Sequence, residues 1–253
     1  MTNDRPFQNL TALVTGASSG IGAAASIALA RGGANVLIHY NVKLTDADAV
    51  RKNVEQYGVK AKLVQADLTT GEGMQQLARF ARGEEIDILI NNAGSLIART
   101  RVLDFTAELW ERVMMLNLTS AFFLCQAVLR GMVARQRGYI VNVSSVAARF
   151  GGGLGALAYA TAKAGVSTMT KGLSREFAPA GIRVNAVSPG TVDTNYHRSF
   201  STPEALDGVR AATPVGRLGT PEEIADAITF LCSDQASFIH GQVLEVNGGF
   251  LMA

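Results

Sequence analysis

The sequence predicts an α/β protein: one doubly wound parallel sheet of about seven strands flanked by helices. Three observations carry this. Strand-like apolar runs alternate with helix-like runs along all 253 residues. A glycine turn, Gly16 to Gly22, stands between the first strand and the first helix. The chain is 48% hydrophobic and 17% charged, enough apolar material to cover both faces of a sheet.

The elements follow in order. Leu10 to Thr15 is a short apolar run ending in the glycine turn, and Ile21 to Arg31 is an alanine-rich helix closed by Gly32 and Gly33. Asn35 to His39 reads as the second strand. Thr45 and Asp48, at capping-box spacing, predict the start of the next helix. Further strands are expected at Lys62–Gln65, Ile86–Ile90, Tyr139–Val143, Arg183–Val187 and Val243–Val246, with long helices at Leu116–Arg135 and Ala158–Ala178. Thr220, Pro221 and Glu223 predict a well-capped last helix. Thr191–Thr213 is less periodic and more polar, and is the expected flap over a site. No repeat and no Pro/Ser-rich linker divides the chain, so a single domain over residues 1–253 is expected.

Composition excludes several classes. A net charge of +2 with no basic block gives no case for nucleic acid or an anionic membrane surface. No segment reads as a membrane span, and Met1 to Pro6 lacks a signal-peptide layout. Cys125 and Cys232 lie far apart in apolar helical stretches and are expected as buried hydrophobes in a reducing, cytoplasmic compartment. His39, His197 and His240 show no ligand spacing, so they are expected to be ordinary surface or strand residues, and no metal site is expected.

The glycine turn reads as a dinucleotide cradle, with a spacing that differs from the common Rossmann G-x-G-x-x-G fingerprint; a structural strand-to-helix turn is the alternative. Gly16, Gly20 and Gly22 permit a tight turn and close approach of a pyrophosphate to the helix N-terminus. Ser18, Ser19 and Ile21 belong to the same turn. A second group carries acid–base chemistry. Tyr159 and Lys163 are four apart and share a helix face. A neighbouring ammonium pulls a tyrosine below its ordinary value of about 10, so the hydroxyl exchanges a proton with an alcohol or carbonyl nearer neutral pH. Ser145, ending a strand, is placed to hydrogen-bond the substrate oxygen, with Ser144 as its rival.

These motifs together resemble the short-chain dehydrogenase/reductase family. Thr15-Gly-Ala-Ser-Ser-Gly-Ile-Gly22 is similar to its T-G-x-x-x-G-I-G turn. Asn91-Asn-Ala-Gly94, Tyr159-Ala-Thr-Ala-Lys163 and Ser188-Pro-Gly190 match its N-N-A-G, Y-x-x-x-K and P-G motifs, in family order. The resemblance implies Asn117, Ser145, Tyr159 and Lys163 as catalytic residues, Asn117 holding a water near Lys163 and perturbing its helix. It chooses Ser145 over Ser144. It implies cofactor contacts from Asp67 and Leu68, from Asn91, Ala93 and Gly94, and from Pro189, Gly190, Val192 and Thr194. The loop Phe150–Gly155 leaves Ser145 fourteen positions before Tyr159, one more than in many members of the family, which bears on pocket shape.

The expected activity is hydride transfer between a nicotinamide and a carbonyl/alcohol pair, with a 3-oxoacyl thioester as the subfamily expectation. A sugar, steroid or small ketone is the alternative. So are a lyase-type or dehydratase member, and a dinucleotide-binding protein without turnover. Tyr40 stands where NAD-preferring relatives carry Asp, and Asn41 and Lys43 follow it. NADP(H) is therefore favoured, with NAD(H) the alternative. A homotetramer, or else a homodimer, is expected from the apolar helices and the tail Gly248–Ala253.

Overall fold

The computed structural model describes residues 5–194 and 200–252. Seven parallel strands form one sheet in the order β3-β2-β1-β4-β5-β6-β7. They are β1 (Thr11–Val14), β2 (Asn35–Tyr40), β3 (Ala61–Gln65), β4 (Ile88–Asn91), β5 (Gly138–Val143), β6 (Ile182–Pro189) and β7 (Val243–Val246). The helices are α1 (Gly20–Arg31), α2 (Leu44–Glu55), α3 (Gly71–Arg82), α4 (Ala107–Met114), α5 (Ser120–Arg135), α6 (Ala147–Phe150), α7 (Leu157–Phe177), α8 (Pro203–Ala212) and α9 (Pro221–Cys232). The expected strands are all present, with ends displaced by one or two residues.

Near-continuous apolar strands follow from burial on both faces. In β1, Ala12 and Val14 join one core cluster, with α1, α2 and α9, while Leu13 joins the other, with α3 and α5. Strand β4 divides in the same way, Ile88 and Ile90 against Leu89. The period-two geometry of a strand produces this split. Burial of each valine, leucine or isoleucine among them contributes about 1.5–3 kcal/mol relative to exposure.

Strand order reverses direction between β1 and β4, so the loops after these strands diverge and open a crevice at the strands' carboxyl ends.

Three local expectations change. Helix α2 starts at Leu44 with Lys43 as N-cap, and no side chain caps it. Thr45 therefore lies inside the helix and the Thr45/Asp48 capping box does not form; Asp48 pairs with Arg51 and Lys52 one turn on. The helix expected from Leu116 begins at Ala107, and a π-helical turn, Met115–Thr119, joins α4 to α5. The stretch 107–135 thereby has the length and apolar content of a membrane span, against expectation, yet half of its apolar window is buried in the protein. The flap region Thr191–Thr213 contains α8, capped by Thr202; its residues 195–199, and with them His197, lie outside the described residues, as do Met1–Asp4 and Ala253. The capping box of Thr220 and Glu223 on α9 forms as expected.

Candidate active site

Gly16, Ser19, Gly20 and Ile21 line one end of a cleft of about 500 Å³, and Ser145, Tyr159 and Lys163 line the other. At the first end, Gly16 and Gly20 adopt φ of 62° and 56°, a left-handed conformation that glycine adopts without strain. A Cβ on Gly22 would stand 2.4 Å from the Gly16 carbonyl oxygen and 2.6 Å from Asn92 Nδ2, so only glycine fits. Ser19 is the N-cap of α1 but makes no side-chain cap. The first amides of α1 thus remain for an anion, aided by the helix dipole. These three features fit a dinucleotide pyrophosphate.

The turn is braced from below. Asn92 Nδ2 donates to the carbonyls of Thr15 and Gly16 at 2.9 and 3.1 Å. Thr15 Oγ1 accepts from the amides of Asn92 and Ala93. His39 is a strand residue, as one of the two expected readings had it, and it is buried. Its Nδ1 accepts from the Gly16 amide at 3.0 Å and its Nε2 donates to the Ala66 carbonyl at 3.1 Å. Burial lowers its pKa to about 4, against a smaller opposing effect of the Ala66 bond, so the ring stays neutral and keeps Nδ1 as an acceptor.

The other end is built on β5 and α7. Lys163 is 3% exposed, and its Nζ donates to the Val143 carbonyl at 2.7 Å and lies 5.6 Å from the Tyr159 ring centre. Burial lowers the Lys163 pKa to about 8. Ser144 and Ser145 both line the cleft but differ in their bonds: the buried Ser144 Oγ bonds the Lys163 carbonyl and Ser167 Oγ, whereas the half-buried Ser145 Oγ accepts from the Ala147 amide at 3.1 Å. Asn117 sits in the π-helical turn. Its Oδ1 accepts from the Ser95 amide, and its Nδ2 donates to the carbonyls of Ser95 and Val113. A Cβ on Gly94 would lie 2.8 Å from Asn117 Oδ1 and 3.0 Å from Lys163 Nζ, so glycine lets these two groups converge. A hydroxyl, an ammonium and a second hydroxyl in one cleft suit proton transfer at a substrate oxygen.

The other expected contacts divide. Ala93, Gly94, Pro189, Gly190, Val192 and Thr194 line the cleft. Thr194 Cγ2 lies 3.2 Å from where a Gly20 Cβ would stand. Ser18, Gly22, Tyr40, Asn41, Lys43, Asp67, Leu68, Asn91 and Asn117 are outside its lining. Tyr40 and Leu68 are buried in the core. Asn41 Nδ2 donates to Asp67 Oδ1 at 3.2 Å, and Lys43 Nζ lies 3.9 Å from Asp46. The side chain of Asn91 turns away, donating to Asn142 Oδ1 and Cys125 Sγ; its neighbour Asn92 faces the turn instead. Sequence reasoning missed Asn92, although the N-N-A-G motif contains it, and missed His39 and Arg99, which lines the cleft. No motif marks the latter two. Cys125 and Cys232 are buried and unpaired, their thiols pushed up to about 12 by burial. Among the described residues no cluster could hold a metal ion.

Comparison with known proteins agrees with this geometry. The family described as enoyl-(acyl carrier protein) reductase matches residues 16–251. The uncharacterized oxidoreductase YmfI of Bacillus subtilis is 40% identical over 96% of this chain and 99% of its own. The 3-oxoacyl-acyl-carrier-protein reductase FabG of Escherichia coli is 39% identical over 97% of this chain and 99% of its own. Among solved structures, a putative NAD(P)-dependent gluconate 5-dehydrogenase from Beutenbergia cavernae with bound NADP is 37% identical, with a TM-score of 0.91 over 98% of this chain and 100% of that one. The chain belongs to the short-chain dehydrogenase/reductase family. It is an NAD(P)-dependent oxidoreductase of that family.

Proposed function

We propose that this chain interconverts a carbonyl and an alcohol with NADP(H) as preferred cofactor, NAD(H) being the alternative. The observation that carries the reading is one cleft shared by the glycine cradle and by Ser145, Tyr159 and Lys163. A bound nicotinamide supplies or takes the hydride; the remaining work falls to the chain. Tyr159 donates its hydroxyl proton to the carbonyl oxygen, or removes it from the alcohol. Ser145 donates a hydrogen bond to the same oxygen. Lys163, held by the Val143 carbonyl, favours the phenolate that remains. Asn117 holds the Ser95 loop against the π-helical turn, which supports the wall beside Lys163. Asp67 and Leu68 after β3, with Asn91, Ala93 and Gly94 after β4, serve the adenosine side, and Pro189, Gly190, Val192 and Thr194 the nicotinamide.

NADP(H) is favoured because β2 ends in Tyr40, where NAD-preferring relatives carry Asp, and Asn41 and Lys43 follow it. A second neighbour, a putative 2-deoxy-d-gluconate 3-dehydrogenase from Agrobacterium tumefaciens at 33% identity, was also solved with NADP. Residues 1–253 act as one catalytic domain. The working form is a homotetramer in the cytoplasm, a setting that suits two unpaired cysteines.

The test is consumption of NADPH and NADH with 3-oxoacyl thioesters, enoyl thioesters, sugar ketones, steroids and small ketones. Reduction of a carbonyl compound, with the higher kcat/KM for NADPH, is expected. Reduction confined to the enoyl compound, or no turnover in the whole panel, would overturn the reading.

A further inference from the structure

We propose that Arg99 determines substrate choice by binding a carboxylate that the substrate carries beside its reacting carbonyl. The inference rests on the carbonyl/alcohol reading above and names the substrate class for that site. Among the described residues lining the cleft, the charged side chains are Arg99 and Lys163, and no carboxylate faces them. Lys163 is buried at the base and is committed to Val143 and Tyr159. Arg99 lies on the loop after β4 and is exposed.

Two tethers hold the guanidinium. Its Nε donates to the Phe200 carbonyl at 2.8 Å and its Nη1 to the Leu154 carbonyl at 2.9 Å. One carbonyl precedes α8 and the other precedes α7, so the arginine bridges two segments at the cleft. The glycine loop is shaped around it. Gly155 has φ +75°, and a Cβ there would stand 3.0 Å from the Thr100 amide nitrogen and 3.3 Å from the Arg99 carbonyl carbon. A Cβ on Gly153 would stand 3.8 Å from Arg99 Nη1. The two bonds use two of the five N–H donors that a guanidinium carries. They fix its orientation without neutralising its charge.

The same cleft has an apolar lining from Leu96, Phe150, Ala156 and Phe250. A preoriented guanidinium matches the two oxygens of a carboxylate. A neutral acyl chain would gain nothing from this charge.

The experiment compares 3-oxobutanoate, 4-oxopentanoate, 5-oxohexanoate and 5-oxogluconate with their methyl esters, and adds dihydroxyacetone phosphate. Wild-type protein and the Arg99→Gln and Arg99→Lys variants are assayed with saturating NADPH. At least one acid is expected to exceed its ester about 10- to 100-fold in kcat/KM, the range of a charge-assisted hydrogen bond. Arg99→Gln should lower kcat/KM for that acid, through KM, about 10-fold or more beyond any loss on its ester. Arg99→Lys should restore part of the preference. An equal loss on acid and ester would show that Arg99 is only a strap between loops and would overturn the proposal. So would esters that match their acids in the wild type, or a preference for the phosphate. Failure to reduce any of these compounds, or any carbonyl in the wider panel, would instead remove the carbonyl/alcohol reading beneath it.

Discussion

Ser144 and Ser145 are adjacent, yet their hydroxyls have different tasks. Both line the cleft, but the first is buried and bonded to α7 while the second is half-buried and keeps its donor for a ligand. The same distinction applies to Tyr159 and Lys163, which are a turn apart but differ in burial. Tyr159→Phe keeps the ring and removes the proton donor. It is expected to lower kcat by ~10²–10⁴-fold while cofactor affinity, read by fluorescence titration, stays near wild type; unchanged kcat would rule out Tyr159 as the acid. Lys163 yields a pH prediction. Its pKa is about 8 when folded, against 10.5 for an ordinary lysine. Across that window the unfolded chain binds more protons, so unfolding free energy rises with pH. Below the window the cost of burying the charge is fully present. The stability difference between wild type and Lys163→Met, measured by urea unfolding without cofactor, should therefore move in favour of the wild type as pH rises through this window. Parallel profiles would show that Lys163 carries no such cost.

At the element scale, the turn between β1 and α1 is the most crowded part of the site. Gly22 is the first-turn residue of α1 that touches both the Gly16 carbonyl and Asn92. Because backbone is the near neighbour, Gly22→Ala must displace the turn. Overpacking of this kind costs about 1–3 kcal/mol. Both denaturant stability and cofactor affinity should fall; a variant with wild-type midpoint and Kd would mean that the turn has room. The capping of α9 shows how local signals succeed: Thr220 and Glu223 satisfy each other across three residues. The same spacing at Thr45 and Asp48 gives no box because α2 starts at Leu44 with Lys43 as N-cap, which leaves Thr45 inside the helix. A competing cation is not the reason, since Glu223 caps α9 while it also pairs with Arg217.

At the scale of the whole molecule, the continuous stretch from α4 to α5 leaves Trp110, Phe122, Phe123 and Val133 exposed by about two-fifths of their surface. Leu103 in the preceding turn is 98% exposed. A symmetric copy would cover such a patch. Light scattering at micromolar concentration is expected to give a mass of four chains, and Phe122→Glu with Phe123→Glu should lower it. A wild-type monomer would leave this surface to another partner.

The order of strands and helices, the glycine turn and the Tyr159–Lys163 pair were all legible in the amino-acid order. Each is a local pattern: a run of apolar residues, a residue that tolerates positive φ, or two side chains one turn apart. The remainder required the folded chain. His39 braces Gly16 across 23 positions and Arg99 reaches Leu154 across 55. Asn91 and Asn92 look alike in sequence, but strand pleating sends one toward β5 and α5, while the turn brings the other to Gly16. Such roles arise from groups that meet only when the sheet is assembled, and no periodicity in a linear chain records which distant carbonyl or amide a side chain will find.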